Sequence, residues 1–478
     1  MSTRRAWSQY SASYRAREVG ILIKWIVEGR SGSVTGLPGV GKSNFLGFIC
    51  HRMDVIQSLT AAHQVQATLV PLDLNNLPDD TTETFYRIIL RAFHENCEHL
   101  DTSLKQVINS LYLENKAVRD PFLVQSALRE LLIQFRARDQ RVVFVFDRFD
   151  VFCETAQPFM TNALRGLRDS FKDVLFYVMG MRQEVAYLPD PYALGELYEV
   201  LDTRVCWVGP MDDSDARLLI KQETHSSKMT PTEEDIQVFK QFSGGIPSLL
   251  KMISNWWSMT SPLPERQVWA EILLQQQTIR YRLEEILGGL NQEELLTLSE
   301  IQKLQHGERE TAVYQTSTPQ RGRPSFKNVQ QQYQVVLQHL AEKGICAHTN
   351  SGWEISSVLL ATFIGEKEGR GLGKLWLNEK TGEIFQGKTV LKDLAPLEQG
   401  VLHYLIRHPR IRHTKTEVIV NVWPDNLGRE GISDDSLYQV IAGIRKKVEP
   451  IPAKPCYIIN WRGNPEGGYQ LFPEGRPR

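Results

Sequence analysis

The fold of this chain is decided by the stretch Ser33-Val34-Thr35-Gly36-Leu37-Pro38-Gly39-Val40-Gly41-Lys42-Ser43. It holds the pattern G-x-x-x-x-G-K-S between an apolar segment and a run of helical character. Glycines at this spacing let backbone N–H groups turn inward around phosphate oxygens, and the following helix presents its positive N-terminal end to the same anion. The stretch therefore predicts a strand, a phosphate-binding loop and a helix, in that order.

The two polar side chains at the end of this loop predict which phosphate compound it binds. Lys42 can reach β- and γ-phosphates, and the Ser43 hydroxyl can coordinate Mg²⁺. We therefore expect ATP or ADP with Mg²⁺ as cofactors. The residues expected to hold the nucleotide are Gly36, Pro38, Gly39, Val40, Gly41, Lys42, Ser43 and Asn44.

An apolar strand ending in an acid is the second part that such a site needs. Arg141-Val-Val-Phe-Val-Phe-Asp147 supplies it and would place Asp147 beside the loop, where it can hold Mg²⁺ together with Ser43. Asp147 is followed by Arg148, at a position where strong hydrolases often carry Glu. The next acid, Asp150, can position the attacking water or cap the following helix, and the sequence leaves both roles open.

Short apolar runs alternate with helical stretches over the first 210 residues. Besides the two strands above, runs lie at 65–74, 174–179 and 205–208. This alternation predicts an α/β domain at 1–210, a parallel sheet with helices on both faces.

The rest of the chain divides into segments of different character. A helical pattern predicts a helical lid at 211–290, and helices followed by a short hairpin predict a winged helix at 291–365. A Gly-rich, charged stretch predicts a linker at 366–373, before a C-terminal domain at 374–478.

Composition excludes several classes of protein. The chain has 478 residues and a net charge of -1, so it is not a polybasic nucleic-acid coat. From residue 371 onward, however, 16 Lys plus Arg face 12 Asp plus Glu, an excess of +4 that indicates an anionic partner. The apolar runs are too short for a membrane span, and six scattered cysteines lack CxxC spacing. We expect a reduced, cytoplasmic protein that does not bind membranes.

Residues 10–365 resemble the STAND branch of the AAA+ P-loop NTPases, which is itself similar to Orc-type initiators. The resemblance is carried by the phosphate loop, by Phe-Asp147-Arg148-Phe149-Asp150 and by Ser243-Gly244-Gly245-Ile246-Pro247. It implies that Arg17, in Tyr14-Arg15-Ala16-Arg17-Glu18, and Pro247 lie near the base, and that Arg182 reads the γ-phosphate. The catalytic residues would be Lys42, Asp147, Asp150 and Arg182, in a slow ATPase.

Residues 374–478 resemble the OmpR/PhoB-type winged helix-turn-helix, an α+β fold. Its small sheet is matched by 382–388, and its three helices are matched by 394–399, by the run from Val418 to Trp423-Pro424, and by 437–448. Its wing is matched by 461–471. In 437–448 the apolar residues share one helix face, so the opposite face is free to enter the major groove of DNA. The expected DNA-binding residues are Ser436, Tyr438, Gln439, Arg445, Lys446 and Arg462.

These parts predict an ATP-dependent STAND-type switch that regulates transcription by sequence-specific binding of double-stranded DNA. We expect ATP to drive homo-oligomer formation, and a protein partner to act as the trigger. Two alternatives stay open: an Orc-like DNA-handling ATPase for replication, transposition or plasmid maintenance, and a defence-type STAND NTPase whose C-terminal winged helix docks a protein.

Overall fold

The computed structural model describes residues 7–188, 190–227, 229–313, 333–350, 352–366, 371–387, 389–423, 434–463 and 466–477. Lys388, Pro424 and residues 367–370 of the expected linker lie outside these ranges. The chain forms two compact units, Met1–Leu218 and Leu219–Arg478. Each unit is described by itself.

A five-stranded parallel sheet forms the centre of the first unit, and its strands coincide with the apolar runs of the sequence. The order across the sheet is β2-β3-β4-β1-β5. The strands are β1 (Gly32–Thr35), β2 (Gln66–Leu72), β3 (Gln140–Phe146), β4 (Leu175–Met181) and β5 (Val205–Trp207). Strand β4 thus lies between the strand that leads into the phosphate loop and the strand that leads to Asp147.

Helices cover both faces of this sheet. All five residues from Val142 to Phe146 are buried, although successive side chains of a strand point to opposite faces. Both faces are therefore packed, as is usual for parallel sheets, and the expected α/β P-loop fold is confirmed. The helices are α1 (Ala16–Glu28), α2 (Lys42–His51), α3 (Met53–Ala61), α4 (Thr82–Glu95), α5 (Thr102–Asn115), α6 (Pro121–Arg136), α7 (Phe149–Thr155), α8 (Pro158–Ser170), α9 (Glu196–Thr203) and α10 (Asp213–Thr224).

Helices and one hairpin make up the first part of the second unit, which α10 leads into. The helices are α11 (Glu233–Ser243), α12 (Pro247–Met259), α13 (Trp269–Gln275), α14 (Gln277–Gly288), α15 (Gln292–Val313), α16 (Gln334–Glu342) and α17 (Val358–Glu366). The hairpin pairs β6 (Cys346–Thr349) with β7 (Gly352–Ile355) in antiparallel register. Helices followed by a two-stranded wing are the arrangement that the sequence predicts for 291–365.

The C-terminal part of this unit has the expected winged-helix architecture. One sheet has the order β10-β9-β8 and another β11-β13-β12, and three helices pack with them around a common apolar core. The helices are α18 (Pro396–Arg407), α19 (Lys415–Val422) and α20 (Asp434–Val448). The strands are β8 (Leu375–Leu377), β9 (Ile384–Gln386), β10 (Thr389–Val390), β11 (Arg412–Thr414), β12 (Ile458–Trp461) and β13 (Gly468–Leu471).

Specific contacts connect this C-terminal part to the start of α15. The backbone N–H of Gln292 donates to the carbonyl of Glu474 at 2.8 Å, and its side-chain amide donates to Sγ of Cys456 at 3.2 Å. The Tyr457 hydroxyl donates to the Gly373 carbonyl at 2.5 Å. The end of the expected linker is therefore bonded to the domain that follows it.

All six cysteines of the chain are free thiols. Five are buried, and Cys153 is partly exposed. Burial raises the pKa of the thiols of Cys50, Cys153 and Cys346 well above the usual range. Buried thiols of raised pKa are poor nucleophiles, so these residues serve as small apolar side chains.

Candidate functional site

The phosphate loop joins β1 to α2 through backbone conformations that glycine favours. Gly39 and Gly41 both have a φ of 85°, a region that side-chain-bearing residues rarely adopt. Gly41 is also the N-cap of α2, and no side chain caps the helix there. The first-turn N–H groups of a helix have no partner within it, so they are available to an anion.

Lys42 lies buried at the carboxyl end of the sheet. Its side chain is withdrawn from solvent, with the residue 7% exposed, and its ammonium donates to the carbonyl of Met181 at the end of β4. Burial lowers the pKa of Lys42 to about 8, although Asp150 and Asp147 nearby act in the opposite direction. The ammonium has three N–H donors, so it can bind a phosphate oxygen in addition to the carbonyl of Met181.

The two acids after β3 differ in their surroundings. Asp147 is partly exposed, and its Oδ1 accepts from the N–H of Arg148 at 3.0 Å. Asp150 is fully buried, and its Oδ2 accepts from the Arg182 backbone N–H at 3.2 Å and from Nε at 2.9 Å. Oδ1 of Asp150 has no hydrogen-bond partner among the residues that the structure describes.

The helix after this strand begins without using Asp150 as its cap. The N-cap of α7 is Arg148, which has a φ of 52°, and Asp150 lies inside the first turn. Of the two roles that the sequence leaves open for Asp150, the capping role is therefore not the one in this structure.

The order of the strands brings the expected phosphate-side residues together. Because β4 lies between β1 and β3, Arg182 at its end can ion-pair with Asp150, 2.9 Å away, which follows β3. Lys42 follows β1 and contacts the end of the same strand. Half of the Arg182 side chain is exposed, so it faces both the acid and the solvent.

The residues at this edge fit a nucleoside triphosphate with Mg²⁺. Ser43 and Asn44 are exposed in the first turn of α2, whose N–H groups no side chain caps. The Ser43 hydroxyl and the Asp147 carboxylate are oxygen ligands of the kind that Mg²⁺ prefers. The free Oδ1 of Asp150 is an acceptor suited to a water molecule.

The two residues expected near the base, Arg17 and Pro247, lie in different units of the chain. The side chain of Arg17 is 66% exposed and donates to Glu18 at 2.8 Å and to the carbonyl of Trp207 at 3.3 Å. Pro247 lies in the second unit, as the buried first residue of α12.

Arg15, which the sequence did not single out, is the buried arginine of this region. It is 2% exposed, and its guanidinium donates to the carbonyls of Val40 at 2.6 Å, Gly209 at 2.6 Å and Pro210 at 3.2 Å. Its backbone N–H donates to Asp215 at 2.9 Å. No sequence pattern indicates this, because the acceptors are mostly main-chain carbonyls.

Helix α20, which the sequence predicts to enter the major groove of DNA, presents a polar face away from its core. The residues buried along it are Leu437, Ile441, Ile444 and Val448, in helical spacing. On the other side Ser436, Gln439 and Lys446 are exposed, and Tyr438 is 44% exposed. These four residues are available to a partner in the way that the sequence predicts.

Arg445 has a different environment from the other expected DNA-binding residues. Its Nη2 donates to the carbonyl of Ile458 at 2.6 Å and to Oδ1 of Asn460 at 2.7 Å, so it is tied to strand β12. Burial lowers the pKa of its guanidinium. Arg462, just beyond that strand, is exposed.

Lys415 is a cation next to this face that the sequence did not single out. Its ammonium lies 2.5 Å from Oδ2 of Asp434 and 5.1 Å from the centre of the Tyr438 ring. The bonds with Asp434 and Tyr438 raise the pKa of Lys415. It therefore joins the start of α19 to the first turn of α20.

Comparison with known proteins gives a family match for the C-terminal part of the chain. Residues 389–471 match the family described as "Transcriptional regulatory protein, C terminal". A search of curated proteins finds no match. Among the described residues, no helix is long and apolar enough to cross a membrane.

Solved structures similar to this chain include three proteins from two organisms. A Walker-type ATPase of Pyrococcus abyssi is 14% identical with a TM-score of 0.39, over 73% of this chain and 95% of that chain. The ORC2 protein of Aeropyrum pernix, in ADPNP and ADP complexes, is 11% identical (TM-score 0.34, 73% and 93%). The ORC1 protein of the same organism, in complex with DNA, is 13% identical (TM-score 0.33, 74% and 92%). At these values the likeness says nothing about what this chain binds.

Proposed function

We propose that this protein is a STAND-type ATP-dependent switch that regulates transcription through sequence-specific DNA binding by its C-terminal winged helix. One observation carries the proposal: the buried Lys42, set among Asp147, Asp150 and Arg182, occurs in the same chain as a transcriptional-regulator domain with an exposed recognition face. The first part suits a nucleotide, and the second suits DNA.

Each residue of the nucleotide site has a distinct role in this proposal. The N–H groups of the loop and the ammonium of Lys42 bind the phosphates, and Lys42 exchanges its bond with the Met181 carbonyl for one with phosphate oxygen. Ser43 and Asp147 would hold Mg²⁺, which neutralises phosphate charge when bound. Arg182 extends from β4 toward the γ-phosphate.

Asp150 is the residue that we assign to the attacking water. Its Oδ2 is occupied by Arg182, and its Oδ1 is the free acceptor, so it can orient a water molecule and accept a proton. Arg148 stands where strong hydrolases often have Glu, and we therefore expect turnover well below the enzyme median of about 10 s⁻¹. A long-lived ATP state is what a switch requires.

DNA binding rests on the exposed face of α20. Gln439 can bond adenine with both amide atoms, while Lys446 and Arg462 can contact guanine or phosphate. The excess of positive charge from residue 371 onward is only +4, so a single copy should bind weakly and with strong salt dependence. We propose that ATP-driven assembly holds several copies together and raises their effective concentration on repeated sites.

Gel-shift titrations of the full-length protein on direct-repeat DNA, with and without ATP and Mg²⁺, test the proposal. We expect ATP to raise both affinity and cooperativity, and Lys42→Ala to remove this response. Equally tight binding to unrelated sequences would instead favour a DNA-handling ATPase. If ATP has no effect and Gln439→Ala changes nothing, the winged helix docks a protein and the DNA switch is wrong.

A further inference from the structure

Arg15 connects three segments of the first unit that are far apart in the sequence. Its guanidinium binds the phosphate loop at the carbonyl of Val40 and the segment after β5 at the carbonyls of Gly209 and Pro210. Its backbone N–H binds Asp215, a buried residue in the first turn of α10. One residue thus contacts both the loop that would bind nucleotide and the helix that leads out of this unit.

We propose that Arg15 is a positioning residue that sets the phosphate loop for nucleotide and couples its occupancy to residues 209–217. The inference rests on the proposed binding of ATP at the loop. It concerns neither the reacting atoms nor the base.

The bond to Val40 acts on the loop through the geometry of the peptide group. In a trans peptide the C=O of one residue and the N–H of the next point in opposite directions. Because Arg15 holds the carbonyl of Val40, the N–H of Gly41 is turned away from Arg15. Gly41 precedes Lys42 and has a left-handed backbone, so this bond fixes one donor of the phosphate cradle.

The local structure around Arg15 is costly, which favours a role beyond packing. Arg15 has a φ of 53° although it is not glycine, and it is the N-cap of α1. Its guanidinium is buried, and its Nε has no hydrogen-bond partner within the described ranges. The carboxylate of Glu18 lies 3.6 Å away as a counter-charge, but a buried ion pair that is not fully bonded still costs free energy that apolar side chains of the same size would not.

The other end of the connection leads to the second unit along the chain. Residues 209–212 run directly into α10, and the boundary between the two units falls at Leu218, within that helix. Any shift of the Val40 carbonyl on phosphate binding changes the position of Arg15 and, through its bonds, the segment 209–215. This gives the nucleotide site a bonded route to the helix that enters the second unit.

Hydrogen exchange of the full-length protein, with and without ATP and Mg²⁺, tests the coupling. We compare the wild type with Arg15→Met, which keeps the bulk but has no donors, and with Arg30→Met as the matched control, since Arg30 is exposed and has no proposed role in binding. In the wild type, ATP should slow exchange both in 36–46 and in 209–217. In Arg15→Met the protection of 209–217 should be lost, with ATP affinity about tenfold weaker, the order of one charge-assisted hydrogen bond.

The pattern of protection separates the coupling from the proposed function. Protection of 209–217 in Arg15→Met equal to that of the wild type, at saturating ATP, overturns the coupling. Loss of the same protection in Arg30→Met overturns the assignment to Arg15. If Arg15→Met does not fold, Arg15→Leu, which also has no donors, is judged by the same criteria. If ATP gives the wild type no protection in 36–46, the loop does not bind ATP, and the proposed function fails together with the coupling. If ATP protects 36–46 in the wild type but not 209–217, only the coupling is rejected.

Discussion

The phosphate-loop region and helix α20 differ in the burial of their polar and charged side chains. Lys42, Arg15 and Asp150 are buried and bonded to main-chain or charged groups before any ligand arrives. Gln439 and Lys446 stand exposed on α20. A small ligand is held best by a preorganised, desolvated site, whereas a DNA surface is met by hydrated side chains that form bonds on arrival.

Arg445 is an exception to this contrast. It belongs to α20, yet it is bonded to Ile458 and Asn460 of the wing strand as firmly as the buried residues of the nucleotide site are. The C-terminal winged helix therefore has a preorganised part that aligns helix and wing, and an exposed part that is available to a partner.

Lys42→Ala should produce the largest effect, because it removes the buried ammonium from the nucleotide site. We expect ATP affinity to fall about 1,000-fold, the size of two lost charge-assisted bonds, or below detection. Isothermal titration calorimetry measures this. The exposed Lys24, with a side chain that is 73% exposed, gives the control Lys24→Ala, which should bind as the wild type does. Equal affinity of Lys42→Ala and wild type would rule out the assignment of the loop.

Asp150→Asn should separate binding from hydrolysis. The amide keeps the shape of the side chain but cannot take up a proton, so we expect steady-state ATP hydrolysis to fall about 100-fold, with ATP affinity nearly unchanged. Phosphate-release assays provide the rate. Asp147→Asn serves as the comparison, since it should weaken the Mg²⁺ dependence instead. An unchanged rate in Asp150→Asn would contradict the role of this acid.

Gln439→Ala and Arg445→Ala should separate DNA binding from stability in the C-terminal winged helix. The first should weaken binding to the preferred site about tenfold while leaving thermal unfolding unchanged, since Gln439 is exposed. The second should lower the unfolding free energy by about 1 kcal/mol or more, because its bonds to the wing are lost. Thermal unfolding and gel shifts on matched sites measure both. Identical profiles for the two variants would remove the distinction between them.

The smallest effect concerns His413, buried in strand β11. Burial lowers its pKa below the usual range, while a backbone hydrogen bond at His408 and the carboxylate of Glu417, at 3.7 Å, act in the opposite direction. The unfolded chain therefore binds this proton more readily, so stability is full above the ordinary histidine pKa near 6.5 and falls as the pH drops below it. We expect His413→Gln to reduce the loss of thermal stability between pH 7 and pH 5. A steeper loss in the variant would contradict the sign.

The strands and their functional ends were predictable from the sequence, whereas two of the main contacts were not. Apolar runs and the glycine pattern define strands and loop locally, so Lys42 and Asp147 follow from periodicity and spacing. Arg15 does not, because its acceptors are carbonyls up to 195 residues away. The motif pointed to Arg17, which is exposed.

The bonds of Arg445 were unpredictable for a similar reason. Its position on the helix suggests a residue that reads bases, but the carbonyl of Ile458 reaches it only through the fold of the wing. The contact of Gln292 with Glu474 likewise joins segments whose sequences carry no common pattern.

The burial of the native thiols has a practical consequence for spectroscopy. Because five cysteines are enclosed and burial raises the pKa of Cys153, a thiol-reactive dye should react slowly with the natural chain. A single cysteine introduced at the exposed Ser436 would then carry nearly all of the label. Helix α20 could be followed by fluorescence without replacing any native cysteine.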